Sequence, residues 1–333
     1  MMNMKYQRVI FGFVVFTLFF LSFNCAQRNP VHPLNGNDNS NPNPVTNTFW
    51  EPTAELPGGV VQVYSLTYSI YGTLLAGTSD GVFNSVDKGK SWTKTGLSDT
   101  SVWALAYSAQ NIAFAGTDNG VYRLTNYRDG WSFSGLIRKS IISMATSYNG
   151  HILAGTNEGL FISANNDFIW KSIGLATEPI WAIVIDNQGS IYAGSFKKGV
   201  FKSNDQGTSW SDLNLRLSVL SLLWTSTGYL YVGTVANRVL RSADDGKNWQ
   251  QLRVGLSGIP VNSLAVNAAG KIFAGTSGGG MFYYSNSDSR WEIVNSGLTD
   301  WDVTAIVFSQ DNIAFVATEG GGVFRSTKPT VSN

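Results

Sequence analysis

The stretch VWALAYSAQNIAFAGTDNGVYRL, residues 102–124, decides the fold. VWALAY is an apolar run of strand length, with the unbroken hydrophobicity of a strand covered on both faces. The polar SAQN interrupts it. IAFAGT makes a second strand, TDNG a turn, and VYRL a third strand. A polar stretch then leads to Trp131 and a fourth short strand ending at Gly135 and Leu136. Four strands joined by tight turns give one antiparallel sheet, and such a sheet cannot cover both of its faces alone.

The triplet Ala-Gly-Thr within this stretch returns along the whole chain. Its glycine falls at Gly77, Gly116, Gly155, Gly194, Gly233 and Gly275, and a seventh copy has Ala317 in that place, with Ser195 and Val232 as variant flanks. The period is roughly 40 residues, the size of one supersecondary unit whose copies bury one another. Two further columns agree. The third residue of the first strand is Ser65, Ala104, Ser143, Ala182, Ser221, Ser263 or Ala305, always small; the next is Leu66, Leu105, Met144, Ile183, Leu222, Leu264 or Ile306, always large and apolar. Strands crowded around an axis demand that alternation.

Tryptophan marks the fourth strand at Trp50, Trp92, Trp131, Trp170, Trp210, Trp249 and Trp291. Trp50 precedes the first repeat, whereas the last repeat stops after GGVFRS without a tryptophan. The expectation is an all-β, seven-bladed β-propeller of four-stranded antiparallel blades over residues 48–327. The strand at Trp50 completes the last blade beside residues 323–325 and removes the open edges.

Hydrophobic residues make up 43% of the chain and aromatics 13%, enough for a large core, while a net charge of +1 offers no basic stripe for nucleic acid. Residues 1–25 read as a secretory signal. Lys5 and Arg8 precede an apolar run at residues 9–23, shorter than the ~20 residues of a membrane span. Cys25, the only cysteine, closes that run. It is either discarded with the signal or lipidated after cleavage before it, as in bacterial lipoproteins. Leu21 and Ser22 fit the lipoprotein pattern; Phe23 and Asn24 depart from it. The Asn- and Pro-rich residues 26–47 read as a flexible tether, and residues 328–333 as a tail. The expected protein is a secreted, periplasmic or outer-membrane-anchored bacterial monomer, free of disulfides and touching the membrane only through such an anchor.

Three turns between third and fourth strands read SVDKGKSW, SNDQGTSW and SADDGKNW. They place Ser85, Asp87, Gly89 and Trp92, then Ser203, Asp205, Gly207 and Trp210, then Ser242, Asp244, Gly246 and Trp249 at one spacing. Weaker echoes lie at residues 163–165 before Trp170 and 285–287 before Trp291. These turns resemble the Asp-box, or BNR repeat, and the resemblance covers residues 48–327 at the level of repeat architecture. It implies a propeller of a family that includes sialidases, other glycoside hydrolases, sorting receptors, photosystem assembly factors and many secreted proteins; the repeat form here looks most like the last two. The aspartates suit a turn lock that accepts backbone N–H groups, and the glycines suit positive φ. A motif that recurs with every hairpin is a fold device before it is a catalytic or calcium site.

Catalytic chemistry is sparse. His32 lies in the expected tether, His151 is the one histidine of the domain, and the domain has no cysteine, so a His metal cluster or a Cys/His pair is excluded there. No cofactor motif is present, and GTSGGGMF at residues 275–282 reads as a hairpin. The arginine-bearing Phe/Tyr-Arg-Ile-Pro signature of sialidases is missing from the start of the domain. A glycoside hydrolase would have to draw a carboxylate pair from Asp99, Asp118, Glu158, Glu178 and Asp302.

Propellers meet ligands at the face made by the loops entering the innermost strands and the turns joining second to third strands. The entering loops carry Asp99, Arg138, Lys139, Glu178, Arg216, Asp300 and Asp302; the joining turns carry Asp80, Asp118, Glu158, Lys197, Lys198, Arg238 and Glu319. Positive charge gathers on blades three to five, and negative charge on blades seven, one and two, with Glu158 and Glu178 as exceptions. Trp103 and Trp181, with Tyr64 in the equivalent place, sit second in their innermost strands, either filling space between blades or stacking on a ligand. The expectation is a non-catalytic binding propeller that takes a protein or carbohydrate of the cell envelope through Tyr64, Trp103, Trp181, Arg138, Lys139, Lys197, Lys198, Arg216 and Arg238. The rivals are the hydrolase and a scaffold for assembling an envelope complex.

Overall fold

A computed structural model of the chain describes residues 48–330, except 148, 165–168, 237, 253 and 257–258. The expected signal, Cys25, the tether and part of the weaker turn echo at residues 163–165 lie outside the described residues. Among the described residues, twenty-eight strands form seven four-stranded antiparallel sheets. The innermost strands are Val63–Tyr68, Val102–Tyr107, Ile141–Thr146, Ile180–Ile185, Val219–Trp224, Val261–Val266 and Val303–Phe308, here blades 1 to 7. Each packs beside the next, and the last packs beside the first, so the sheets close into a ring. Among the described residues there is no helix long and apolar enough to cross a membrane.

The ring closes as the tryptophan count predicts. Trp50–Pro52 pairs with Val323–Ser326, with Trp50 opposite Ser326, Glu51 opposite Arg325 and Pro52 opposite Phe324. The Thr53 N–H donates to the Val323 carbonyl (2.9 Å), and Arg325 Nε meets Glu51 Oε1 at 2.7 Å.

Each residue of the Ala-Gly-Thr triplet has a separate task. The alanine is wholly buried between blades. The glycine lies opposite the small third residue of the innermost strand, as Gly77 does opposite Ser65. A Cβ on Gly77 would lie 2.4 Å from Ser65 Oγ and 2.8 Å from the Val102 carbonyl oxygen of the next blade. At Gly155 it would lie 2.6 Å from the Ile180 carbonyl oxygen. At Gly77, Gly155 and Gly233 an added Cβ would thus meet the backbone of the next blade, and at Gly116, Gly194 and Gly275 the branched side chain of Ile141, Val219 or Val303. The threonine, also fully buried, closes the joining turn: Thr78 Oγ1 donates to the Gly81 carbonyl and accepts from the Asp80 N–H, both at 3.0 Å. Thr117, Thr156 and Thr276 donate in the same way.

Two sets of hydrogen bonds join the blades. On the inside, Ser65, Ser143 and Ser221 donate to the carbonyls of Val102, Ile180 and Val261, the first residues of the next innermost strands. On the outside, the repeat tryptophans reach back one blade. Trp131 Nε1 donates to Thr95 Oγ1 (3.0 Å), Trp170 to the Ser134 carbonyl (2.9 Å), Trp291 to the Leu252 carbonyl (3.2 Å) and Trp50 to the Val294 carbonyl (2.5 Å). Trp249 is the exception, with its buried Nε1 unbonded. The apolar clusters likewise lie between blades: Val63, Leu74 and Phe83 of blade 1 pack with Phe315 and Val323 of blade 7.

Candidate functional site

A register shift interrupts the innermost strand of every blade between its first and third residues. The intervening residue is left out of the ladder, and such a bulge re-aims its side chain. Around the ring these residues are Tyr64, Trp103, Ile142, Trp181, Leu220, Asn262 and Thr304, all half-buried. They sit beside the joining turns, at the mouth of the ring. Trp103 Nε1 donates to Asp118 Oδ1 (2.9 Å), and the Trp181 ring stacks on Phe196 at 4.6 Å. Tyr64 stacks on Trp103 across the boundary of blades 1 and 2, with centroids 4.4 Å apart.

The mouth is lopsided. Apolar bulge residues follow one another over blades 1 to 5. On blades 6 and 7 the bulge residues bind the ring itself: Asn262 Nδ2 donates to the Val303 carbonyl (3.1 Å) and Thr304 Oγ1 to the Val63 carbonyl (2.7 Å). Blades 2 and 4 carry tryptophan at the bulge and alanine, not serine, at the next position, so those two junctions lack an inner hydroxyl bond. Tyr64 and Trp103 thus fill space at the junction of blades 1 and 2, Trp181 packs on Phe196 of its own blade's joining turn, and all three are half-buried. Ile142, Leu220, Asn262 and Thr304 belong to the same ring, although nothing in their chemistry singles them out. The signal that finds them is their column in the repeat.

The two loop sets meet on this face as expected. The Asp99 N–H donates to Asp80 Oδ1 (2.8 Å) and the Arg138 N–H to Asn119 Oδ1 (3.1 Å), tying each entering loop to the turn of the blade before it. Asp99 and Arg138 hold the left-handed conformation, at φ 55° and 62°, as does Arg216 at 51°. Non-glycine residues at such angles carry strain that the surrounding bonds must hold.

Ion pairs redistribute the charge. Lys139 pairs with Glu158 (2.5 Å), Lys198 with Glu178 (2.7 Å) and Arg216 with Asp212 (2.7 Å). Among the described residues, Arg138, Lys197 and Arg238 form no ion pair, nor do Asp99, Asp118, Asp300, Asp302 and Glu319. Glu178 is buried, which pushes its carboxyl up, but hydrogen bonds from Lys198 and Ser195 outweigh burial and hold it low. Asp302 and Glu319 behave oppositely. Burial raises both, Asp300 raises both further, and Asp302 also raises Glu319. The Tyr64 phenol is raised by burial and then by the charges of Glu319 and Asp118. The carboxylates proposed for hydrolysis therefore divide. Glu158 and Glu178 are neutralised by lysines, Asp118 is held by Trp103 and Ser140, and Asp99 and Asp302 carry no cation.

The carboxylates of the three Ser-x-Asp-x-Gly turns are bonded within the turns themselves. Ser85 Oγ donates to Asp87 Oδ1 (2.8 Å) and accepts from the Gly89 N–H (2.7 Å); Asp87 accepts from the Ser91 N–H (2.9 Å) and hydroxyl (2.6 Å). Asp205 and Asp244 repeat the pattern with Ser209 and Asn248. Hydrogen bonds from those residues hold all three carboxyls down at about 2. Gly89, Gly207 and Gly246 press these turns onto Thr53, Ile173 and Leu213 of the preceding blade. The antiparallel strand order puts the turns at the end of each blade away from the mouth. His151 lies at that far end too, beside a cavity of about 130 Å³ that Ser147, Asp186 and Gln188 also line. Among the described residues, no three His, Cys, Asp or Glu side chains converge as metal ligands.

No family model matches the chain, and no curated protein matches it. Solved structures do. The extracellular domain of the putative one component system BT4673 from B. thetaiotaomicron superposes with a TM-score of 0.72 at 19% identity, covering 82% of this chain and 39% of that one. This chain thus spans about two fifths of the length of that relative. YCF48 bound to D1 peptide matches with a TM-score of 0.68 at 15% identity, covering 84% of this chain and 97% of the other. A streptogramin B lyase structure matches with a TM-score of 0.71 at 12% identity, covering 84% and 97%. At these identities the likeness is one of fold, and the chain is a seven-bladed β-propeller.

Proposed function

We propose that this propeller is a non-catalytic, extracytoplasmic binding module of the Asp-box type that takes its partner at the loop-rich mouth. One observation carries the reading. The innermost strand of every blade is bulged at one position, and five of the seven side chains so displaced are large, apolar and half-exposed in a continuous arc. Half-exposed apolar groups gathered on one face and rimmed with charge suit recognition. The Ser-x-Asp-x-Gly geometry supports the Asp-box reading, and those aspartates are occupied as turn locks. The structural relatives include extracellular domains and a protein solved with a peptide, which agrees with a secreted or anchored binding role. The leader and Cys25 would deliver and tether the domain.

The test is retention of the purified protein on immobilised envelope proteins and envelope glycans. Trp103→Ala with Trp181→Ala, and Arg138, Lys197 and Arg238 together replaced by Ala, should each weaken retention at least tenfold. Unchanged retention by both variants would move the site elsewhere. The rival hydrolase reading rests on Asp302, whose raised carboxyl suits a general acid. Turnover of chromogenic glycosides that disappears in Asp302→Asn would replace the binding reading.

A further inference from the structure

The binding reading leaves open what lies in the mouth, and the arrangement around Tyr64 narrows it. The stacked Tyr64 and Trp103 rings, 4.4 Å apart, bridge blades 1 and 2. Asp118 bonds the Trp103 edge, and Glu319 lies near enough for its charge to raise the Tyr64 phenol. Asp118 is fixed against the Trp103 edge by the indole N–H at 2.9 Å and by Ser140 Oγ at 3.0 Å. Glu319 stands on the blade 7 side, where its N–H donates to the Asp302 carbonyl at 3.0 Å. Asp300 folds over the same loop, accepting the Asp302 N–H at 3.0 Å and the Gly320 N–H at 2.5 Å.

None of Asp118, Asp300, Asp302 and Glu319 forms an ion pair among the described residues, although other acids of the face, Asp80, Glu158 and Glu178, each hold a lysine. Burial raises the carboxyls of Asp302 and Glu319, Asp300 repels both, and Asp302 repels Glu319. A neutral sugar laid here would remove more water from those carboxylates and leave their repulsion in place. A positive charge relieves it. The aromatic faces favour the same charge, because the ring quadrupole attracts a cation, and a guanidinium stacks flat on a ring while bonding a carboxylate with its edge. The apolar bulge residues then continue past Trp103 to Ile142, Trp181 and Leu220, with the unpaired Arg138, Lys197 and Arg238 at their rim.

We infer that the mouth binds an extended peptide segment, placing an Arg or Lys side chain against Tyr64 and Trp103 between Glu319 and Asp118, with apolar residues following along the arc over blades 3 to 5. This rests on the binding reading and adds the chemistry of the partner.

The experiment probes the full-length protein with an arrayed library of capped heptapeptides and with neutral oligosaccharides of glucose and N-acetylglucosamine. Peptides that bind should share Arg or Lys at one position flanked by apolar residues. Replacing that Arg by its neutral isostere citrulline should weaken binding about tenfold. Glu319→Gln with Asp118→Asn should abolish the difference between Arg and citrulline while leaving the apolar preference. Trp103→Ala should weaken every bound peptide. Thermal unfolding of each variant, compared with the parent, separates loss of site from loss of fold. Peptide selection with no cation preference, or a preference that survives Glu319→Gln with Asp118→Asn, overturns the inference but leaves a binding propeller. Retention of oligosaccharides alone, weakened by Trp103→Ala, also overturns it and makes the partner a glycan. Binding of any probe that Trp103→Ala and Trp181→Ala leave untouched overturns both readings.

Discussion

Gly77→Ala is the substitution with the most calculable consequence. The added Cβ would meet Ser65 Oγ at 2.4 Å, the Val102 carbonyl oxygen at 2.8 Å and Val102 Cγ1 at 2.9 Å. Ser65 can rotate away, giving up its weak bond to the Val102 carbonyl at 3.4 Å. The carbonyl belongs to the backbone of blade 2 and cannot yield without moving the strand. Overpacking of this kind costs roughly 1–3 kcal/mol, and the backbone contact puts Gly77→Ala at the upper end, about 3 kcal/mol. For a domain of this size each kcal/mol moves the unfolding midpoint by roughly 2 °C, so a fall of about 6 °C is expected by calorimetry. Ser65→Ala added to Gly77→Ala should recover less than half of it, because the carbonyl clash remains. The seventh repeat supplies the control: it already carries Ala317 in the glycine column, so its blade junction tolerates the methyl group. A Gly77→Ala midpoint within 1 °C of the parent would refute the claim that Gly77 marks backbone contact between blades 1 and 2.

Three other outcomes follow from the same contacts. Trp50→Ala removes a side chain only 1% exposed together with its bond to the Val294 carbonyl, and should cost about 3–5 kcal/mol in urea unfolding; a loss under 1 kcal/mol would mean the first strand is not part of the last blade's packing. Asp87, Asp205 and Asp244 have folded-state pKa values lowered to about 2, so the stability they add is present above the ordinary carboxylate range near 4 and is lost as pH falls toward 2; replacing all three by Asn should flatten the melting profile there, and an unchanged acid limb would contradict it. Glu178→Ala leaves the buried Ser195 hydroxyl without its acceptor and returns the exposed Lys198 to water, and should cost about 1–3 kcal/mol while changing no peptide selection, whereas an effect on selection alone would give Glu178 a role in the site.

The ring was legible in the sequence because crowding leaves the same mark in every copy. Where a Cβ meets the next blade, glycine recurs; where inner strands converge, the third residue stays small. Even the closing strand could be placed, since Trp50 lacked a repeat and the last repeat lacked a tryptophan. What the smallness of that column concealed was a second cause, the hydroxyl of Ser65, Ser143 or Ser221 reaching the next blade.

The site was legible only in part. Trp103 and Trp181 stood out by size, but the bulge that aims them belongs to backbone pairing. A column reading Tyr, Trp, Ile, Trp, Leu, Asn, Thr looks like noise until its shared geometry is seen. Charge was the harder quantity. Lys139, Lys198 and Arg216 count as cations in sequence, yet each meets an acid in the fold, and the surplus left around Tyr64 is negative. Pairing depends on which loop lies beside which, and composition carries no record of it.

Every residue assigned to the mouth owes its place to the seam between Trp50–Pro52 and Val323–Ser326. Glu51 and Arg325 face each other across it, so Glu51→Cys with Arg325→Cys, in a chain whose Cys25 is replaced by Ser, tests the closure directly. The disulfide should form within one chain on mild oxidation and raise the unfolding midpoint, since it closes nearly the whole domain into one loop. Cysteines that remain free, or that link only between chains, would show that the first strand does not complete the seventh blade.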